Sequence, residues 1–201
     1  MPLIRDNDLV AQDPWVRVDD GAALPEDGTP VIVSLGRWRA ERETLDGRNG
    51  RLGVVLKAGD DAAELAGDLE RLSLVALEFP KFSDGRAFST ARLLRGRYRF
   101  RGELRAVGNV MRDQLLFMHR CGFDAYEVAR DDALEAWTGA LSDFSAWYQT
   151  AADDRRTAAQ QRGECAAPPL SQSRARIRAN AAAASAPPAP AVSCCAGDWA
   201  Y

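Results

Sequence analysis

Four basic residues are spaced to gather around a small anion: Lys81, Arg86, Arg105 and Arg112. The first two fall in Glu78-Phe79-Pro80-Lys81-Phe82-Ser83-Asp84-Gly85-Arg86, a stretch longer and more polar than a minimal strand-to-helix loop. A helix that starts near Arg86 would turn free amides toward the same point, a combination suited to an oxyanion. The same residues also read structurally, with Asp84-Gly85 as a turn and Asp84 as the helix cap. Arg112 follows the tight turn Gly108-Asn109 and, with Asp113 and Gln114, occupies the first turn of a later helix, where it would add charge to that helix's amino-terminal amides. Arg105 lies inside an apolar run. A strand covered on both faces tolerates charge only when it is partnered, and each of four such runs carries one charge: Lys57, Glu78, Arg105 and Glu127. Arg105 could pair with Glu78 and Glu127 if the strand registers agree, either as a ligand site or as a structural network.

Other chemistries lack their residues. The cysteines are Cys121, Cys165, Cys194 and Cys195, with no C-x-x-C pair, and His119 is the single histidine. A Cys/His zinc site or a four-thiolate iron–sulfur cluster has no ligand set at suitable spacing, so no metal is expected and any cofactor is left open. Cys121 reads as core and His119 as a surface or packing residue. Gly47-x-x-Gly50-x-x-Gly53 precedes a strand, whereas a dinucleotide fingerprint follows one. A Walker sequence and a nucleophile elbow are both missing. Of 201 residues, 26 are Lys or Arg and 29 are Asp or Glu, a net charge of −3 that offers nucleic acid no bulk attraction. No apolar run approaches the ~20 residues of a membrane span. The charged start, Arg5-Asp6-Asn7-Asp8, is unlike a signal peptide, so a cytoplasmic protein is expected.

The elements that would position these groups alternate. Gly53–Lys57, Leu74–Phe79, Glu103–Gly108 and Phe123–Val128 read as buried strands. Helices are expected from Asp60 or Asp61 (Ala62, Leu65, Leu69 and Leu72 inward), over Arg86–Tyr98 (Phe88, Ala91, Leu94, Tyr98), over Val110–Cys121 (Met111, Leu115, Met118) and from Asp131 or Asp132 (Trp137, Leu141, Phe144, Tyr148). Four strand–helix units imply a parallel sheet with right-handed crossovers, and four cannot close an eight-stranded barrel. The expected fold is an α/β half-barrel with ligands at the carboxyl ends of its strands.

Residues 1–52 are expected to supply a strand at Trp15–Val18, a helix from about Val31 to Leu45, and cover for the sheet's edges, a task a second copy of the chain could share. Residues 53–150 form the parallel domain. From residue 151 onward, 17 of 51 residues are alanine and large apolar groups are few, the composition of a disordered tail.

Read together, F-P-K-F-S-D-G-R (79–86), A-R-L-L-R (91–95), G-E-L-R-A-V-G-N-V (102–110) and R-D-Q-L-L-F-M-H-R-C-G-F-D-A (112–125) resemble the uncharacterised proteobacterial proteins encoded beside assimilatory sulfite reductase. The likeness runs from about Asp13 to Trp147 and includes Arg37-Trp38. These relatives are described as oxidoreductases of sulfite reduction. The resemblance implies a place in sulfate assimilation, sulfite reductase as a partner, and either an oxidoreductase or an accessory role. It carries over no catalytic residue. A noncatalytic domain that binds a small anionic metabolite is the alternative.

Overall fold

Eight short strands share one sheet in the computed structural model, which describes residues 2–153 and 155–163. In chain order they are β1 (Leu3–Arg5), β2 (Asp8–Val10), β3 (Val16–Arg17), β4 (Val31–Ser34), β5 (Leu52–Leu56), β6 (Leu74–Phe79), β7 (Glu103–Gly108) and β8 (Ala125–Glu127). The helices are α1 (Leu35–Ala40), α2 (Arg42–Asp46), α3 (Arg86–Gly96), α4 (Arg112–Cys121), α5 (Ala133–Ser142) and α6 (Ala158–Gln161). The spatial order is β2-β1-β8-β7-β6-β5-β4-β3. From β3 to β8 every neighbouring pair is parallel and consecutive in sequence, so crossovers of one hand place the helices on one face. The expected half-barrel of strand–helix units is the fold of this chain.

Chain length enforces the curl. Held flat, eight strands would keep the edge strands β2 and β3 roughly 33 Å apart. The six Cα steps from Val10 to Val16 reach at most about 21 Å. The connecting strap therefore crosses the concave face. Trp15, at its end, joins Ile32, Leu74, Ala76 and Val107 in a small inner cluster. The opposite side chains of the same strands, among them Val33, Val54, Val75, Leu77, Phe79, Leu104 and Tyr126, form the main core with the helices. Strand alternation thus splits one sheet into two apolar faces.

The amino-terminal residues cover both edges: β1 pairs antiparallel with β8, and β3 extends the parallel sheet beyond β4. The expected helix over Val31–Leu45 is corrected, because Val31–Ser34 is a strand. β-Branched Val-Ile-Val suits a pleated sheet, and Ser34 both ends β4 and caps α1, its hydroxyl accepting from the Arg37 amide at 3.0 Å. The long β3–β4 connection contains no helix; Arg37 donates to the carbonyls of Asp19 and Ala22, and Arg48 to those of Pro25 and Glu26.

Three helix expectations also change. After β5 the chain makes a 3-10 turn (Ala62–Leu65) followed by further turns, yet Ala62, Leu65, Leu69 and Leu72 are all buried as expected. Gly67 and the Asp68 carboxylate, which takes up Arg42, favour turns over a continuous helix there. Met111 faces solvent because it is the cap of α4 and lies outside its helical stripe. The last helix stops at Ser142, so Phe144 and Tyr148 are exposed and Trp147 is buried in their place.

Part of the expected tail packs on the body: Ala151, Thr157 and Gln160 are buried, and Thr157 bridges Trp147. The Ala/Pro-rich remainder of the expected tail lies outside the described residues. Among the described residues, no helix is long and apolar enough to cross a membrane.

Candidate functional site

Register sets the rim. Leu56 pairs with Leu77, so Lys57, one residue past β5, stands level with Glu78; Glu78 pairs with Val107, which is level with Glu127. Lys57 is exposed and Glu78 half-buried, and neither side chain has a hydrogen bond or ion pair among the described residues. Both line a cleft at the carboxyl ends of β5 and β6, together with Gly59, Arg86, Ala87 and Thr90. It is a shallow cleft of about 200 Å3 counting the open solvent at its mouth, and its enclosed part has room for only about one water-sized group, so any anion would sit at the open rim.

The first turn of α3 closes one side. Its cap is Gly85, which offers no side-chain acceptor, and Asp84 takes over as the sequence suggests, Oδ1 accepting from the Arg86 amide at 3.2 Å. Asp84 also grips the Arg86 guanidinium, with Oδ1 on Nε at 3.0 Å and Oδ2 on Nη2 at 2.6 Å. These hydrogen bonds hold the Asp84 carboxyl down at about 2. Arg86 Nη1 turns toward Gly59, where an added Cβ would come within 3.2 Å of it. Gly59 has φ +111°, so a side chain there would strain the backbone as well as crowd the cleft. Thr90 Oγ1 donates to the Arg86 carbonyl at 3.2 Å. The cleft therefore presents an ammonium, a guanidinium nitrogen and one unpaired carboxylate, while the first-turn amides of Arg86 and Phe88 are taken by Asp84 and by the Gly85 carbonyl.

The four anticipated cations do not converge. Lys81 is exposed in the loop before α3, near Asp84. Arg112 faces α5, where Nη1 and Nη2 bind the two Asp143 oxygens at 3.1 and 3.0 Å. Arg105 is fully buried on the concave face. Its Nε donates to Glu103 at 2.8 Å, Nη1 and Nη2 to Asp13 at 2.5 and 3.3 Å, and Nη1 lies 3.5 Å from Glu127. Burial alone would lower its pKa, but Asp13 and Glu103 outweigh burial and raise it. The pairing expected between Arg105 and Glu78 is absent among the described residues, because Arg105 is level with Ala76 and its guanidinium is taken by carboxylates from the strap and its own strand. The expected contact with Glu127 is present, and Glu127 also meets Arg17 of β3 at 3.8 Å.

Lys57, one of the four strand charges legible in the sequence, is brought to the cleft by register, and Thr90, one helical turn after Arg86, is the lining group that spacing alone does not reach. Glu103 was legible too, two residues from Arg105 and on the same strand face. His119 packs edge-on against Trp137 at 5.5 Å, and burial lowers its pKa. Burial raises that of the Cys121 thiol, the state of an unreactive packed cysteine. Among the described residues, no group of three or more His, Cys, Asp or Glu side chains is placed to hold a metal ion.

No curated protein matches the sequence. A family model does, over residues 53–159, just over half of the chain, from within β5 through the cleft into α6. By that match the chain belongs to the bacterial protein family of unknown function designated DUF934.

Proposed function

We propose that this protein serves sulfate assimilation as an accessory to assimilatory sulfite reductase, holding sulfite in the rim cleft. The observation that carries the reading is the unpaired Lys57–Glu78 couple beside the start of α3. Lys57 and Arg86 Nη1 supply positive potential to an oxyanion. Glu78 selects among such anions. Near neutral pH sulfite is partly protonated, and hydrogensulfite can donate its proton to the Glu78 carboxylate while its oxygens accept from Lys57. Sulfate carries no proton to donate and meets Glu78 as a like charge. These groups bind an anion by charge and hydrogen bonds, which favours an accessory over an oxidoreductase; the pathway itself rests on the resemblance carried by residues 79–125.

The test is genetic. A strain lacking the gene should grow poorly on sulfate or sulfite and normally on cysteine. The wild-type gene and an Arg112→Ala allele should restore growth, while a Lys57→Ala/Glu78→Ala allele should not. Unimpaired growth of the deletion strain on sulfate would remove the pathway assignment and leave a cleft for some other small anionic metabolite.

A further inference from the structure

We propose that Arg97, Arg99 and Arg101, in the loop between α3 and β7, form a docking surface for an acidic segment of a partner protein. The loop lies at the opposite end of the sheet from the cleft, so the inference stands apart from the sulfite reading.

The loop is a rigid platform. Arg95 donates to the carbonyls of Phe100, Gly102 and Gly122 at 2.8, 2.9 and 2.8 Å and pairs with Asp124. Phe100 is buried, its amide bonded to the Leu94 carbonyl at 2.8 Å, and Tyr98 packs against the main core. Alternate residues are thus anchored inward, and Arg97, Arg99 and Arg101 are left exposed. Most arginines of the fold are engaged by carboxylates or carbonyls, as Arg37, Arg42, Arg86, Arg105 and Arg112 are. The side chains of these three have no hydrogen bond or ion pair among the described residues; that of Arg97 only lies over the Tyr98 ring at 5.7 Å.

Arg99 adds an independent sign. It adopts φ +57°, the left-handed conformation in which helices commonly end and which usually falls to glycine. An arginine at this position is conformationally unfavourable, and a strained residue points to use of its side chain. Three unpaired guanidinium forks match carboxylates, which they bind bidentately. Nucleic acid is disfavoured: residues 1–150 carry 20 basic against 25 acidic groups, and neither Tyr98 nor Phe100 offers a free face for stacking.

Full-length protein titrated with labelled poly-L-glutamate and, separately, with polyuridylate RNA at low salt tests the surface. The wild type should bind polyglutamate more tightly than RNA. Arg97→Gln/Arg99→Gly/Arg101→Gln should weaken polyglutamate binding at least tenfold, and Arg99→Gly alone about threefold with an unchanged or higher melting temperature. Failure of the wild type to bind polyglutamate, equal binding by the triple variant, or tighter binding of RNA would each overturn the proposal.

Discussion

Asp13 of the strap closes on Arg105 of β7 across the concave face, with Oδ2 on Nη1 at 2.5 Å and Oδ1 on Nη2 at 3.3 Å, although the two are 92 positions apart. The contact fastens the chain segment that bridges the two sheet edges. It also explains how an arginine can be fully buried: Asp13, Glu103 and Glu127 surround it, and Arg5 and Arg17 in turn meet Glu103 and Glu127. The network belongs to the fold, whereas the Lys57 and Glu78 side chains at the rim have no partner among the described residues.

Arg105→Leu should destabilise the protein by about 3–5 kcal/mol, because it strands half-buried carboxylates. Asp13→Ala leaves Glu103 and Glu127 on the guanidinium and removes a partly exposed partner, so about 1–2 kcal/mol is expected. Urea unfolding curves measure both, and equal losses would mean that the strap contributes as much as the rest of the network.

Arg86→Ala and Arg112→Ala should leave the melting temperature nearly unchanged, since each is paired with its carboxylate near the surface, where an ion pair adds little. Only the first should weaken sulfite binding, because Arg112 is turned toward α5. Removing the Arg86 side chain should also raise the Asp84 midpoint above about 2, but not fully to the ordinary carboxylate value, because the residue-86 amide still donates to Oδ1 and Lys81 remains nearby, as followed by carboxyl NMR. An Asp84 midpoint that stays at about 2 would show that another group holds it down.

Stability should fall as pH drops through the histidine range. An unfolded histidine titrates near 6.5, while burial holds the folded His119 below that value, so the unfolded chain takes up a proton that the native state does not. The contribution is complete above about 6.5 and declines as the pH falls toward the folded value. Urea midpoints at pH 7.5 and 5.5 should differ in the wild type and differ less in His119→Gln. An unchanged difference in the variant would place the effect elsewhere.

A chain ended at Gly163 keeps the Thr157–Trp147 bridge and the Arg155 contact to the Leu141 carbonyl. A chain ended at Thr150 loses both and uncovers Trp147, whose ring also carries the Arg120 guanidinium at 4.2 Å. The shorter chain should melt lower by about 4–8 °C, as expected for a loss of about 2 kcal/mol in a protein of this size. Coincident melting curves would show that Ala151, Thr157 and Gln160 add nothing to the core.

Much of the fold is legible in sequence where local pattern and tertiary demand agree. β6 and β7 fall on the expected residues, because their apolar runs end at Pro80 and at Gly108, whose φ of +93° and close approach to the Phe79 carbonyl exclude a side chain. Val31–Ser34 misled because a four-residue strand runs straight into a helix, and apolar spacing alone cannot separate the two. The rim was legible as a place, since parallel strands end there together. Its membership was not: Asp143 satisfies Arg112, and Asp13 satisfies Arg105, through contacts set by the curl of the sheet, which no local spacing encodes.

Calorimetric titration of the full-length protein with sulfite and with sulfate at neutral pH tests the cleft most directly. Sulfite should bind, and sulfate should bind at least tenfold more weakly. Glu78→Gln should narrow that difference by admitting sulfate, and Lys57→Ala should weaken both anions. Equal affinity of the wild type for the two anions, or sulfite binding untouched by Lys57→Ala, would contradict the assignment of the Lys57–Glu78 cleft.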